Sequence, residues 1–246
     1  MLTKTQIKNN LKKIRIKEKF IIIHSDVTGL YFKNFSLQEL WKIIKSSFGK
    51  NKTYIFPAFT LKNKKKKWDY HKSKSDAGIF SEYFRNNISQ LRTIHPLHSV
   101  CIFGKNKNKI KIGPSLSSFG KGSFWDWACN SKDVCNLSLG LNLGGGATFC
   151  HYSEEFMKVS YRKYIELDIQ VFKKKNKKID RKFLYFARKK KFSNNWKKLE
   201  RELTKLSLIR KYVFPENDYS ILKMNTNKVT KFLIKKINNN SLYLIK

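Results

Sequence analysis

The chain has 246 residues, of which 41% are hydrophobic and 14% aromatic, and this composition excludes a disordered protein. Its 53 basic residues outnumber 17 acidic ones, so the net charge is +36 and the field favours polyanionic over polycationic ligands. No signal-peptide core or apolar run of membrane-spanning length is present, so we expect a cytoplasmic protein with no membrane span. The four cysteines lack metal-ligand spacing and are expected to be reduced thiols.

The lysines are spread along the chain and accompany many Asn, Ile and Phe residues, which share A/T-rich codons. This distribution favours genomic base composition over nucleic-acid binding as the origin of the charge. The basic runs at Lys64–Lys67, Lys173–Lys178 and Arg188–Lys191 are typical of solvated loops or hairpin ends. A nucleic-acid-binding protein stays an alternative that the charge alone suggests.

The first part of the chain predicts a βαβ unit. Residues 2–14 indicate a short basic amphipathic helix, and Phe20–Ile23 indicates a buried strand. A capping box at Ser36 then begins an amphipathic helix that ends at Gly49, and Tyr54–Phe56 is the next strand. A strand, a helix and a strand over this length predict a sheet that is parallel at its centre.

The middle of the chain predicts loops that suit a ligand. Residues 60–77 form a polar, lysine-rich segment whose length favours a lid or binding loop. A helix over Ile79–Asn86 and a strand over Val100–Phe103 follow. Residues 113–127 contain a glycine- and serine-rich loop that leads into an aromatic helix. Backbone N–H groups in such a loop suit phosphate or pantetheine carbonyl contacts.

The segment at 134–155 carries the strongest candidate for chemistry. An apolar run, Val134–Leu143, predicts a strand, and Gly144–Gly146 then allow a sharp turn into a helix. His151 is expected about one turn inside that helix, near the carboxyl edge of the sheet, with Glu154 on the same helix face. A carboxylate beside an imidazole suits a general base, although such a pair is also common as a purely structural contact.

After residue 160 the pattern changes to α+β. Tyr164–Phe172 and Ile179–Ala187 alternate apolar and polar residues and predict an antiparallel hairpin. Trp196–Ile209 is predicted to be helical, and two short strands and a helix over about Val229–Ile237 follow. The layout predicts a single α/β domain.

Six segments follow one another in an order typical of a known enzyme family. They are His24-Ser25, Phe56–Thr60, Gly78–Arg85, Arg92–Val100, Phe119–Ser123 and Thr148–Glu154. Through these segments the chain, over roughly residues 3–240, resembles the aminoglycoside 3-N-acetyltransferase family, also called the antibiotic N-acetyltransferase family.

The resemblance implies a three-layer α/β/α fold with a central, mostly parallel sheet. Together with the chain layout it predicts one domain over 1–246, with a cofactor-binding and catalytic α/β core at 1–160 and a C-terminal α+β portion at 161–246 that contains the antiparallel hairpin. It also implies acetyl-CoA-dependent transfer of an acetyl group to an amine.

The family's catalytic histidine falls on His151, and in our hypothesis Glu154 holds its tautomer, with Glu155 as the less favoured alternative. The cofactor contacts that the resemblance implies fall on Ser25, Arg92, Thr93, Ser118, Phe119, Gly120 and Ser123. Arg92 is the candidate for a CoA phosphate because guanidinium pairs bidentately with phosphate.

Asp69 and Glu82 are candidates for contact with the acceptor amine. His95 and His98 are expected to be structural, and without a clear third ligand they indicate no zinc site.

The charge of the chain favours one class of acceptor over another. Aminoglycosides are polycations that the overall field repels, so we expect an amino sugar carried on a nucleotide or in an anionic surface polysaccharide. Acetylation of aminoglycosides, which confers antibiotic resistance, is the alternative within the same enzyme class. Ala147 and Asp26 depart from the family pattern and leave an inactive, CoA-binding scaffold as a further alternative.

Overall fold

The computed structural model describes residues 1–61, 66–173 and 177–246. Within those ranges the helices are α1 (Lys4–Lys12), α2 (Leu37–Phe48), α3 (Ile79–Asn87), α4 (Phe124–Asn130), α5 (Leu143–Gly146), α6 (Cys150–Phe156), α7 (Trp196–Lys205) and α8 (Thr226–Asn239). The strands are β1 (Phe20–Ser25), β2 (Thr53–Pro57), β3 (Lys67–Asp69), β4 (Leu91–Arg92), β5 (Val100–Gly104), β6 (Val134–Leu139), β7 (Arg162–Glu166), β8 (Gln170–Phe172), β9 (Lys178–Ile179), β10 (Leu184–Arg188), β11 (Ile209–Val213) and β12 (Ser220–Asn225).

A seven-stranded sheet in the order β11-β12-β6-β1-β2-β5-β4 forms the middle of the molecule. Its three central strands, β6, β1 and β2, run parallel, which confirms the predicted βαβ unit. On both sides the flanking strands are antiparallel to their neighbours. The α/β fold class is therefore confirmed, with a parallel centre and antiparallel margins.

Helices cover both faces of this sheet because its central strands are buried on both sides. Phe20 and Ile22 of β1 pack in one apolar cluster, together with residues of α4, α6 and α8. Ile21 and Ile23 point the other way, into a second cluster with residues of α1, α2 and α3. The alternation of strand side chains thus produces the three-layer α/β/α arrangement.

The C-terminal part contains the predicted antiparallel hairpin, which is formed by two ladders: β7 pairs with β10, and β8 pairs with β9. β8 also pairs with β3, which lies within the segment expected to be a loop at 60–77. Residues 62–65 of that segment, and residues 174–176 of the lysine run at 173–178, lie outside the described residues. The two short strands that follow, β11 and β12, join the main sheet.

None of the helices in the described part of the chain has the length and apolar character that crossing a membrane requires.

Candidate active site

The three glycines after β6 do not form the predicted sharp turn, and two of them, Gly144 and Gly146, pack closely against other side chains. They lie in the single helical turn α5, which Asn142 caps by accepting the N–H of Gly145. A Cβ atom on Gly146 would lie 2.0 Å from the Ser138 Oγ, and one on Gly144 would lie 2.7 Å from Cδ1 of Trp196. Glycine is needed here for close approach. Since α6 begins at Cys150, His151 lies in the first turn of its helix, earlier than we predicted.

His151 and Glu154 are paired, as their spacing predicted. Nδ1 of His151 lies 2.5 Å from Oε2 of Glu154. The carboxylate is fully buried, and it also accepts the hydroxyl of Tyr161 at 2.9 Å and Nη2 of Arg162 at 2.7 Å. Burial raises the pKa of Glu154, but the charges of His151 and Arg162 lower it by more, so the net pKa is below its ordinary value. The carboxyl is therefore an anion held by three donors.

Arg162 holds this carboxylate in place. Its Nη1 donates to the carbonyl of Phe186 on β10 at 3.0 Å, and its side chain is only 4% exposed. Nη2 lies 2.9 Å from Nδ1 of His151 as well as 2.7 Å from Glu154. If Nδ1 carries the proton, it cannot accept from Arg162, so both groups donate to the same carboxylate oxygen. The imidazole then has its lone pair on Nε2.

The ring of His151 is accessible on one side and enclosed by aromatic residues elsewhere. Its side chain is 25% exposed, and the rings of Phe119 and Trp196 each lie 5.6 Å from it, centroid to centroid. Among the described residues, nothing makes a hydrogen bond to Nε2. This nitrogen is therefore available to a ligand.

Trp196 is positioned from the far end of the chain. It begins α7, and the preceding residue, Asn195, donates its N–H to the carbonyl of Leu244 at 2.8 Å. Ser193 and Lys246 exchange two further backbone hydrogen bonds, of 3.2 and 2.9 Å. The wall of the site beside His151 thus depends on pairing between residues 193–195 and 244–246.

Glu155, the alternative partner of His151, is used differently. Its Oε2 accepts the hydroxyl of Ser117 at 2.7 Å, and its Oε1 accepts that of Tyr164 at 3.3 Å. Burial raises its pKa above the ordinary value, although the hydrogen bonds oppose this shift. Glu155 therefore fixes the serine-rich loop and does not orient the imidazole.

The two other candidate histidines lie around Ser118. The Ser118 hydroxyl is 2.7 Å from Nδ1 of His98 and 3.2 Å from Nε2 of His95. Nδ1 of His95 also accepts the backbone N–H groups of Leu97 and His98, which shapes the turn after Pro96. Burial lowers the pKa of His95 to about 3 and that of His98 well below its usual range, so both rings are neutral at pH 7.

A narrow cleft collects part of the predicted cofactor set. Thr93, Ser118 and Ser123 line it, together with Trp125 and Arg181. The indole N–H of Trp125 is buried and has no hydrogen-bond partner within the described part of the chain.

The other predicted cofactor residues lie outside this cleft. Phe119 and Gly120 line a separate pocket with Glu155 and Tyr164. Ser25 ends β1, and its buried hydroxyl is also without a partner among the described residues. Its contact with the cofactor stays a prediction.

Arg92 is placed where it cannot reach a phosphate without losing its present bonds. Its Nε donates to Ser99 at 3.1 Å, Nη2 to the carbonyl of Ala58 at 2.9 Å, and Nη1 to the carbonyl of Ser73 at 2.6 Å. It is 4% exposed and stacks on Trp68, with its guanidinium carbon 4.7 Å from the ring centroid. The segment before α3 folds back over Arg92, which no local pattern indicates, and the contact of Arg92 with a CoA phosphate stays a prediction.

The two predicted acceptor carboxylates also have structural partners. Oδ1 of Asp69 accepts the N–H groups of His71 and Lys72, both at 2.8 Å, and so closes a turn. Glu82 pairs with Arg85 at 2.7 Å and accepts the N–H of Ser75 at 2.7 Å. Both fasten the 69–75 segment, and contact with an acceptor stays a prediction for each.

Of the two departures from the family pattern, Asp26 has a local explanation. Its Oδ1 accepts the N–H of Thr28 at 3.0 Å and its hydroxyl at 2.7 Å, so it shapes the turn after β1. Ala147 is buried beside the short helix α5. No group of three or more His, Cys, Asp or Glu side chains is arranged for a metal ion among the residues that the structure describes.

Comparison with known proteins gives a family match over most of the chain. A family model described as aminoglycoside 3-N-acetyltransferase matches residues 22–236. No curated protein matches the chain by sequence.

Three solved structures illustrate the similarity of the fold. YokD from Bacillus subtilis has a TM-score of 0.77 at 17% identity, covering 97% of this chain and 100% of that one. AAC(3)-Xa has a TM-score of 0.81 at 13% identity and covers 99% and 94%. AAC-IIIb, solved as a binary complex with CoASH, has a TM-score of 0.77 at 15% identity and covers 97% of each chain.

Proposed function

The chain belongs to the aminoglycoside 3-N-acetyltransferase family, and we propose that His151 is the general base with which this acetyl-CoA-dependent N-acetyltransferase acts on the amine of an amino sugar. The observation that carries the proposal is the pairing of Nδ1 with a buried, anionic Glu154 while Nε2 stays without a partner among the described residues. Acetyl-CoA supplies the activated acetyl group as a thioester.

The chemistry requires a base because a sugar amine is largely protonated at pH 7 and attacks only as the neutral amine. The bond from Nδ1–H to Glu154 fixes the tautomer with its lone pair on Nε2, which accepts the proton that the acceptor loses. Arg162 balances the charge of the buried Glu154. Phe119 and Trp196 limit water around the ring.

The side chains that line the serine-rich cleft suit the hydrogen-bonding groups of a CoA arm. CoA is rich in acceptor oxygens, on its amide carbonyls and phosphates. The cleft offers the hydroxyls of Thr93, Ser118 and Ser123 and the unpartnered indole N–H of Trp125. A buried donor without a partner is costly, so a ligand carbonyl there would restore a hydrogen bond.

The acceptor that the family supports best is an aminoglycoside, with antibiotic resistance as the consequence. A variant of AAC(3)-IVa has been solved in complex with a gentamicin and again with apramycin. Charges beyond a Debye length of about 10 Å are screened at moderate salt, so the net charge of +36 does not by itself exclude a polycationic acceptor.

An amino sugar carried on a nucleotide or in an anionic polysaccharide is the second candidate, because the net charge of +36 favours an anionic acceptor. CoA thiol release with gentamicin, apramycin and UDP-linked amino sugars distinguishes the two. Added salt should slow the reaction with an anionic acceptor and speed the reaction with a polycation.

The test of the base is His151→Gln, with His71→Gln as the matched control on an exposed histidine. A general base contributes about 10²–10⁴-fold, so His151→Gln should lose activity by that factor while CoA binding stays within about twofold. His71→Gln should retain full activity. Full activity in His151→Gln would overturn the assignment.

A further inference from the structure

Arg181 differs from Arg92, the other arginine considered for phosphate binding, because its Nε has no hydrogen-bond partner among the described residues. It lines the serine-rich cleft, and this nitrogen is buried. In the same part of the structure, its guanidinium forms no ion pair. Every nitrogen of the Arg92 guanidinium, by contrast, donates to a protein oxygen.

Packing holds Arg181 at the cleft. Its guanidinium carbon lies 4.6 Å from the centroid of the Phe183 ring, and that ring packs edge-on against His95 at 5.5 Å. The N–H of Leu184 donates to the carbonyl of Leu116 at 2.8 Å, so the strand after Arg181 is tied to the loop that carries Ser117 and Ser118. A planar guanidinium stacked in this way loses little freedom on binding an anion.

The described residues that line the cleft carry a positive charge and no negative charge. They include serines, a threonine and two buried histidines that are neutral at pH 7, and none of them is Asp or Glu. Arg181 is therefore the source of formal charge among the lining residues that the structure describes. A cation with an Nε that has no partner among the described residues, in a cleft lined with hydroxyl donors, suits the charge and hydrogen-bonding groups of a phosphate.

We propose that Arg181, and not Arg92, binds a phosphate group of the acyl donor. This proposal rests on the proposed function, since it assumes that the cleft holds the CoA arm. It assigns the residue to donor affinity: Arg181 does not touch the reacting atoms, and its loss should raise the KM for acetyl-CoA while changing kcat little.

The test is calorimetric titration of the full chain with CoA, 3′-dephospho-CoA and pantetheine, using Arg181→Gln, Arg181→Lys and Lys182→Gln. Lys182 is the matched control because it carries the same charge, is 73% exposed and pairs with Glu166 outside the cleft. A charge-assisted hydrogen bond to phosphate is worth about 1.5–3 kcal/mol, so Arg181→Gln should raise the Kd of CoA about 10- to 100-fold. Arg181→Lys should lose less, and pantetheine should bind all four proteins alike.

The phosphate series separates the outcomes. If Arg181→Gln weakens binding of CoA but not of 3′-dephospho-CoA, Arg181 contacts the 3′-phosphate. If it weakens binding of both but not of pantetheine, Arg181 contacts the pyrophosphate. Both results support the proposal. An unchanged CoA Kd in Arg181→Gln, an equal loss with pantetheine, or an equal loss in Lys182→Gln overturns it. Circular dichroism melts of the variants identify misfolding, and a folded Arg181→Lys that binds CoA no better than Arg181→Gln counts against the proposal. None of these titrations uses His151, so the proposal for the base fails or stands separately.

Discussion

Replacing Glu154 by Gln tests the arrangement around His151 most directly. The substitution keeps the shape of the side chain and removes the charge that three donors share. Arg162, whose side chain is 4% exposed, is then left as a buried cation without its anion. We expect a large loss of stability together with a loss of activity.

The magnitude follows from the burial of the pair. Breaking a buried ion pair by removing one partner costs about 3–5 kcal/mol. For a domain of about 150–250 residues each kcal/mol shifts the Tm by about 2–4 °C, so Glu154→Gln should lower it by about 6–20 °C. The double variant Glu154→Gln/Arg162→Met removes the stranded cation and should recover at least half of that loss while staying inactive.

The pH dependence provides a second measurement. The folded-state pKa of Glu154 is lowered, so its contribution to stability is present above its ordinary value of 4.5 and is lost as pH falls through the folded pKa. The gap in Tm between wild type and Glu154→Gln should therefore narrow as pH is reduced from 6 to 3. A Glu154→Gln protein that loses less than about 1 kcal/mol at pH 7, or a gap that widens with acid, would refute the reasoning.

Three further outcomes follow from contacts described above. Gly146→Ala should destabilise the protein by about 1–3 kcal/mol in urea unfolding because its Cβ would lie 2.0 Å from the Ser138 Oγ, whereas Gly145→Ala, with its nearest contact at 3.4 Å, should be neutral or better; equal effects would contradict this packing. Burial raises the pKa of Glu155, so its contribution to stability is present at low pH and is lost as pH rises. The Tm of Glu155→Gln should therefore increase relative to that of wild type between pH 4 and 7, and a relative decrease would contradict the raised pKa. Burial raises the pKa of all four thiols, to about 11 for Cys101 and about 12 for Cys129, so a disulfide reagent should modify them only in denaturant, and fast labelling of native protein would show that the core opens.

The local periodicity of apolar residues was sufficient to predict the elements at the centre of the fold. The apolar strand at 20–23, the capped helix after Ser36 and the strand at 54–56 each bury a face that the pattern itself defines. The pair of His151 and Glu154 was predictable for the same reason, since residues three apart on a helix are neighbours.

The partners that reach the site from elsewhere were not predictable in this way. Arg162 lies just beyond α6, but its approach to Glu154 requires a chain reversal that ends with Lys158 at a φ of +49°. Trp196 reaches His151 from α7, whose start is tied to residues 244–246 and whose Glu200 accepts the N–H of Leu143 at 2.9 Å. The signal available in the sequence was an arginine soon after the His-x-x-Glu segment. Spacing alone could not show that this arginine turns inward and pairs with the carboxylate.

Arg92 shows that a side chain can have partners other than the one its segment suggests. An arginine in a segment that resembles a cofactor-binding segment suggests an anion, but here its guanidinium satisfies backbone carbonyls of a folded-back loop. Sequence cannot distinguish these uses, because a carbonyl and a phosphate both accept hydrogen bonds from a guanidinium. Burial decides between them.

The pairing between residues 193–195 and 244–246 has a consequence for biogenesis. A nascent chain that has been made as far as α6 already contains His151 and Glu154, but the support for the aromatic ring beside them is completed only when residues 244–246 follow. We expect a chain that stops before residue 244 to have little or no turnover even when its central sheet has formed.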